Sequence, residues 1–170
     1  MEFLYRDGAL YDEKQLKHLA LLSYGQFKNA LTGENWEKLS THLANDNLFS
    51  GLLRSSKSFV CETNGELVGM AFHVPKGNPT EIFHKEWSYI RMVGVHPNFA
   101  GNGIGRKLTK QCMDFARRTD EKIIALHTSE FMTAARYIYE SLGFKQNKEI
   151  EKRYGKRYWL YLLELTHKSV

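Results

Sequence analysis

The sequence predicts a three-layer α/β protein, a mixed central sheet flanked by helices, folded as one domain over residues 1–170. Three observations predict it. Apolar residues recur at helical spacing through the first fifty positions, and strand and helix patterns alternate from residue 57 onward. Between them, the glycine-rich stretch HPNFAGNGIGRKL (96–108) joins a strand that stops at Pro97 to an amphipathic helix.

In chain order, FLYRDG (3–8) reads as a short edge strand. YDEKQLKHLALLSYGQF carries Leu16, Leu19 or Ala20, Leu22 or Ser23 and Phe27 on one helical stripe, with Asp12 placed to cap its start. ENWEKLSTHLANDNLF reads as one second helix bearing Trp36, Leu39, Leu43 and Leu48. KSFVCET (57–63) and ELVGMAFHV (66–74) flank Asn64-Gly65, a strong hairpin signal. Residues 75–86 hold two of the three prolines and form a long loop before the strand WSYIRMVGVHP (87–97). Ile104, Leu108, Cys112 and Phe115 then mark a helix over 103–118. KIIALHT (122–128) reads as a central strand, and MTAARYIYESLG (132–143) as a short helix ended by Gly143. Two strands around a turn near Gly155 close the chain, and RYWLYLLEL (157–165) offers an apolar strand for a homodimer.

Composition narrows the class. The 170 residues suffice for a sizeable core, and 42% hydrophobic with 25% charged residues is ordinary for a soluble protein. No apolar run approaches the ~20 residues that span a bilayer. The N-terminus lacks the pattern of a secretory leader, so a cytoplasmic location is expected. Cys61 and Cys112 are too few for a disulfide framework, and no His spacing suggests a metal. The net charge of +5 favours anionic ligands without naming one. Much of the basic excess lies in residues 145–157 and reads as a solvated hairpin. With no zinc-finger spacing or arginine-rich arm, nucleic acid is not expected as a partner.

The glycine loop carries the chemistry. A dinucleotide fingerprint would need glycine where Arg106 stands, and no P-loop spacing occurs. What remains is a strand, a tight turn and a helix start, whose free amides and dipole suit a phosphate. Arg106 and Lys107 add positive charge.

VGVHPNFAGNGIGRKLTKQCMDFA resembles the acyl-CoA binding motif of the GCN5-related N-acetyltransferases, Val-x-Pro followed by [Arg/Gln]-x-x-Gly-x-[Gly/Ala]. ARYIYESLGFKQ (135–146) resembles that family's Ala-x-x-x-Tyr-x-x-x-Gly-Phe, and Tyr5-Arg6 is a weaker third agreement. The resemblance covers nearly the whole chain and implies the acyl-CoA N-acyltransferase fold with acetyl-CoA as cofactor. It implies that Val93, Gly94 and Val95 lie on a strand that splays from 123–128 to admit the pantetheine arm. Ala100, Gly101, Asn102, Gly103, Ile104, Gly105 and Arg106 would hold the pyrophosphate, through their amides from Gly101 onward. Tyr139 would protonate the leaving thiolate. Two positions depart from the pattern: Ala100 replaces Arg or Gln, and Met132 replaces an Asn.

The general base stays open. Glu86 is the first candidate, reaching the amine through water, ahead of His73, His96 and Glu130, while His127 reads as a satisfied interior residue. Tyr24, Phe27, Trp36, Phe83, Trp87, Tyr154 and Tyr158 are candidates to line an acceptor pocket, and Glu34, Glu37, Glu81 and Glu86 to attract an ammonium. The implied reaction is acetyl transfer to a primary amine, of a small molecule in preference to a protein lysine or N-terminus. The alternative is a non-catalytic acyl-CoA sensor.

Overall fold

The computed structural model describes residues 1–165, so 166–170 of the expected domain lie outside the described residues. A seven-stranded sheet runs in the order β1-β2-β3-β4-β5-β7-β6. Its strands are β1 (Leu4–Asp7), β2 (Lys57–Thr63), β3 (Glu66–Val74), β4 (Ser88–Val95), β5 (Ile123–Ser129), β6 (Lys145–Arg153) and β7 (Lys156–Glu164). Every neighbouring pair is antiparallel except β4 with β5.

Helices α1 (Glu13–Gly25), α2 (Gly33–Leu43) and α3 (Leu48–Ser55) cover one face of the sheet; α4 (Ile104–Arg118) and α5 (Thr133–Ser141) cover the other. Strand alternation serves both layers. Phe59, Cys61 and Ala71 pack with Ile104, Leu108 and Cys112 of α4, whereas Val60, Met70 and Phe72 pack with Leu16, Leu39 and Phe49. The hairpin at Asn64-Gly65 has both residues left-handed, at φ 51° and 77°, as a tight two-residue turn requires.

The expected second helix is two. Asn45 Oδ1 accepts the Asn47 N–H at 2.9 Å, a local turn that competes with helix hydrogen bonding, and Lys17 holds Asp46 at 2.7 Å. The break re-aims the chain so that Phe49 buries fully against Phe72, ring centroids 5.9 Å apart. Asp12 does not cap α1 through its side chain. Its carboxylate, 1% exposed, instead accepts the Arg6 guanidinium at 2.8 and 2.9 Å and the Ala9 N–H at 2.8 Å. A buried charge takes a counter-charge before it takes a cap.

The suggestion that 157–165 forms a dimer strand is corrected. β7 is paired along both sides, with β5 and with β6, so no open edge remains for it to offer. The outer strand β6 is instead a charged, largely exposed edge, consistent with the solvated hairpin read from its sequence.

Two irregularities in β4 open the middle of the sheet. Its register against β3 skips a residue between Met70↔Gly94 and Phe72↔Arg91, and Met92 takes a left-handed φ of 57°, a β-bulge. On its other side, β4 meets β5 only at Ser88↔Ile124 and Tyr89↔Ala125. Beyond those two pairs the parallel strands part.

Candidate active site

A cleft of about 850 Å³ fills the opening between β4 and β5. Its walls come from β4, β5, the starts of α4 and α5, one face of α1 and α2, and the β6–β7 turn.

The glycine loop forms one end. Ala100, Gly101, Gly103, Ile104, Gly105 and Arg106 all line the cleft. Gly103, the residue that starts α4, is left-handed at φ 73°, with no atom within 4 Å of where a Cβ would stand. Dihedral need and an open approach, not packing, therefore explain the glycine. The first amides of α4 have no partner within the helix and face this opening. Asn102 does not line the cleft: its side-chain amide donates to Phe99 O at 2.9 Å and pins the turn. Arg106 Nη1 donates to Ser141 Oγ at 2.6 Å, tying α4 to α5. Lys107, expected to add charge here, turns away, with Nζ 3.8 Å from the centre of the Tyr5 ring.

Val93 and Val95 also line the cleft. The His96 N–H donates to Val68 O on β3 at 2.8 Å, so strand alternation turns the backbone groups of Val95 and Val93 toward the β5 side. Ser23 of α1 reaches in to accept the Val95 N–H at 3.1 Å. Gly94 faces the α1 layer instead. A Cβ there would stand 2.8 Å from Met70 Cε and 3.1 Å from Ser23 Oγ, so this glycine lets Ser23 approach.

Tyr139 lines the cleft from α5, 6% exposed and edge-on to Phe144 at 5.9 Å. Burial pushes its phenol pKa far up, with smaller contributions from Tyr24 and Cys112, so it holds its proton at neutral pH. Tyr24 is pushed up to about 12, mainly by burial, with Tyr154 raising and Arg91 lowering it. Departing from the expected Asn, Met132 also lines the cleft, its Sδ 3.7 Å from Thr128 Oγ1.

The expected bases do not come to the cleft. Glu86 is exposed on the loop before β4, outside the lining, where its N–H donates to His84 Nδ1 at 3.2 Å. Glu130 accepts the Arg157 N–H at 3.0 Å, His96 Nδ1 accepts the Asn98 N–H at 3.1 Å, and His73 is fully buried beside Phe115. His127 does line it, and contrary to expectation its Nδ1 has no protein hydrogen-bond partner. Burial, then Arg153 and Arg91, lower its pKa to about 3. His42, at the exposed rim, is lowered by burial and by the same two arginines.

Of the aromatic candidates, Tyr24, Phe27, Tyr154 and Tyr158 line the cleft and Trp36, Phe83 and Trp87 do not. Glu34, Glu37, Glu81 and Glu86 all lie outside it. Sequence reasoning missed Ser23, His42, Arg91 and Arg153. Arg91 carried a usable signal, a charge inside the otherwise apolar strand WSYIRMVGV; Arg153 was hidden among other basic residues. Among the described residues, no group of three or more His, Cys, Asp or Glu is placed to hold a metal ion, and no helix is long and apolar enough to cross a membrane.

Comparison with known proteins joins these features to a family. The profile of the acetyltransferase (GNAT) family matches residues 17–144. An uncharacterized N-acetyltransferase of Methanocaldococcus jannaschii is 34% identical over 95 residues, 55% of this chain and 41% of that protein. The N-alpha-acetyltransferase RimI of Mycobacterium tuberculosis is 34% identical over 92 residues, 54% of this chain and 53% of that protein. The chain thus spans about half the length, or less, of these relatives. The PaiA N-acetyltransferase of Thermoplasma acidophilum, solved in complex with coenzyme A, superposes with a TM-score of 0.79 at 12% identity. That superposition covers 97% of this chain and 100% of the other, a likeness of fold. The profile match runs from inside α1 to the end of the α5 motif, taking in the bulged strand and the glycine loop, and the chain belongs to the acetyltransferase (GNAT) family.

Proposed function

We propose that the protein moves the acetyl group of acetyl-CoA to a primary amine carried by a small molecule. One observation carries the reading: the parallel pair β4–β5 opens after Tyr89↔Ala125 into a cleft whose far end is the start of α4. A long, amide-bearing chain with an anionic diphosphate fits that shape. Val93 and the Val95 carbonyl present backbone groups where a third strand would pair, the Val95 N–H being held by Ser23 Oγ, and the amides from Gly101 to Arg106 cradle the phosphates.

Acetyl-CoA supplies the acetyl group as a thioester, whose C–S bond breaks as the C–N bond to the amine forms. Tyr139, held protonated by burial, donates to the departing sulfur. The amine must shed a proton to attack; His127, lowered to about 3, is a weak base, which leaves His42 at the rim as the imidazole placed to take it. The tyrosine cluster of Tyr24, Tyr139, Tyr154 and Tyr158 narrows the space in which the amine approaches.

Calorimetric titration with acetyl-CoA tests the binding half. One-site binding that is lost in Gly103→Glu is expected, because the variant puts a carboxylate and a left-handed strain into the cradle. No binding at millimolar acetyl-CoA would sink the reading. Release of CoA thiol with an amine tests the chemical half; binding without release on any amine leaves the sensor. The relative named N-alpha-acetyltransferase favours a second reading, a protein N-terminus as acceptor. Acetylation of peptides in preference to free amines would select it.

A further inference from the structure

Three arginines line the cleft, Arg91, Arg106 and Arg153, and among the described residues no Asp or Glu does. The three divide by position. Arg106 belongs to the α4 end and is tied to Ser141. Arg91 lies four residues back along β4 from Val95, on the far side of the bulge at Met92. Arg153 ends β6, just before the left-handed turn residues Tyr154 and Gly155.

Outside the cleft, three guanidinium groups among the described residues pair with acids, whereas Arg118 and Arg136 lie over the rings of Phe115 and Trp159. Arg6 meets Asp12 and Glu62, Arg117 meets Asp114, and Arg157 meets Glu149. Among the described residues, neither Arg91 nor Arg153 takes part in an ion pair, although both are half-buried. Two half-buried cations facing one space without a counter-charge are unfavourable, and an anion entering that space relieves both. Their joint field is felt by the neighbours: after burial, it is these two guanidiniums that lower His42 and His127.

Resting on the acetyl-transfer reading above, we infer that the acceptor is an anionic amine, a small molecule whose amino group is accompanied by a carboxylate or phosphate held by Arg91 and Arg153. The acidic candidates for attracting an ammonium, Glu34, Glu37, Glu81 and Glu86, all lie outside the cleft, and the inferred site carries the opposite charge. The α4 cradle is taken by the diphosphate at the other end, so these two arginines are free to select the second substrate. They do so by charge: a polyamine would bring like charge against them, and a neutral amine would leave them unpaired. The tyrosines between them and Tyr139 set how far the amine stands from the anion.

The test uses purified protein, acetyl-CoA and CoA-thiol release. Glycine and glutamate present a carboxylate, phosphoethanolamine a phosphate alone; the methyl esters of the two amino acids and putrescine are the controls. At least one anionic amine is expected to exceed its neutral or cationic controls by tenfold or more in kcat/KM. The better of the carboxylate and phosphate arms identifies the anion. Arg91→Met and Arg153→Met are each expected to raise KM for that anionic amine at least tenfold and to shrink its advantage over the controls. Methyl esters or putrescine matching the anionic amines would overturn the proposal, as would an unchanged advantage in both variants. So would failure to acetylate any anionic amine while calorimetry shows acetyl-CoA bound. Absence of acetyl-CoA binding is the distinct outcome that removes the parent reading and this one together.

Discussion

His73→Leu isolates the contribution of one buried histidine to stability. His73 has no exposed surface, lies edge-on to Phe115 at 5.5 Å, and neither ring nitrogen has a protein hydrogen-bond partner. Burial lowers its pKa from 6.5 to about 4. As pH falls, the unfolded chain therefore takes up the proton first, and stability present above about 6.5 is lost progressively down to about 4. Each tenfold difference in proton affinity between the folded and unfolded chain is worth ~1.4 kcal/mol, so moving from pH 7 to pH 4.5 removes roughly 2 kcal/mol through this residue alone. Leucine is close in volume and does not titrate, so the variant keeps that increment. At pH 7 the change also removes unsatisfied polar atoms worth about 1–3 kcal/mol, against a repacking cost of up to about 1.5 kcal/mol. Urea unfolding of both proteins across pH 4.5–7 measures the difference directly, since every other titrating group cancels. The gap between variant and parent is expected to widen by roughly 2 kcal/mol toward acid. Curves that fall in parallel refute the account of His73.

Four further outcomes are expected of the same fold. Arg6→Met strands the buried Asp12 carboxylate and is expected to cost about 3–5 kcal/mol in chemical unfolding at pH 7; a loss under about 1 kcal/mol would mean the pair contributes little. Tyr139→Phe removes the proposed proton donor and is expected to lower kcat about 10²-fold with KM for acetyl-CoA little changed, read by CoA release. The His127 imidazole, neutral down to about pH 3, is expected to titrate at higher pH once an anionic amine neutralises Arg91 and Arg153, followed by NMR of the ring protons. Gly94→Ala is expected to cost about 1–3 kcal/mol in chemical unfolding, because its methyl group would stand 2.8 Å from Met70 Cε and 3.1 Å from Ser23 Oγ in a packed layer; unchanged stability would show that both side chains give way freely.

Features written in local chemistry were legible in the amino-acid sequence alone. The Asn64-Gly65 turn, the Ile104–Leu108–Cys112 stripe and the glycine loop each rest on residues a few positions apart, and each stands where expected. The helix split at Asn45–Asn47 was local too, but its three polar residues sat inside an apolar period that masked them. What the sequence hid was set by contacts between distant segments. Asp12 answers to Arg6 on β1, Lys107 to the Tyr5 ring, and β7 to partners on both sides. The acceptor end of the cleft is the extreme case. Arg91 and Arg153 are 62 positions apart in the chain and share one cleft only because β4 and the end of β6 both border it. Glu86, adjacent in sequence to β4, is by contrast carried outside it.

The brief contact between β4 and β5 makes the sheet two plates, β1–β4 and β5–β7–β6, latched at one corner by two residue pairs and the Ser88 Oγ–Ile123 O bond of 2.9 Å. A ligand held in the gap as proposed would become the missing strand between them, so its binding would also cross-brace the architecture. At a hundredfold excess over Kd, such a brace adds about 2.7 kcal/mol to the stability of the whole. Its imprint should fall on the amide exchange of the inner strands along the gap, leaving the outer strands β1 and β6 nearly as they were.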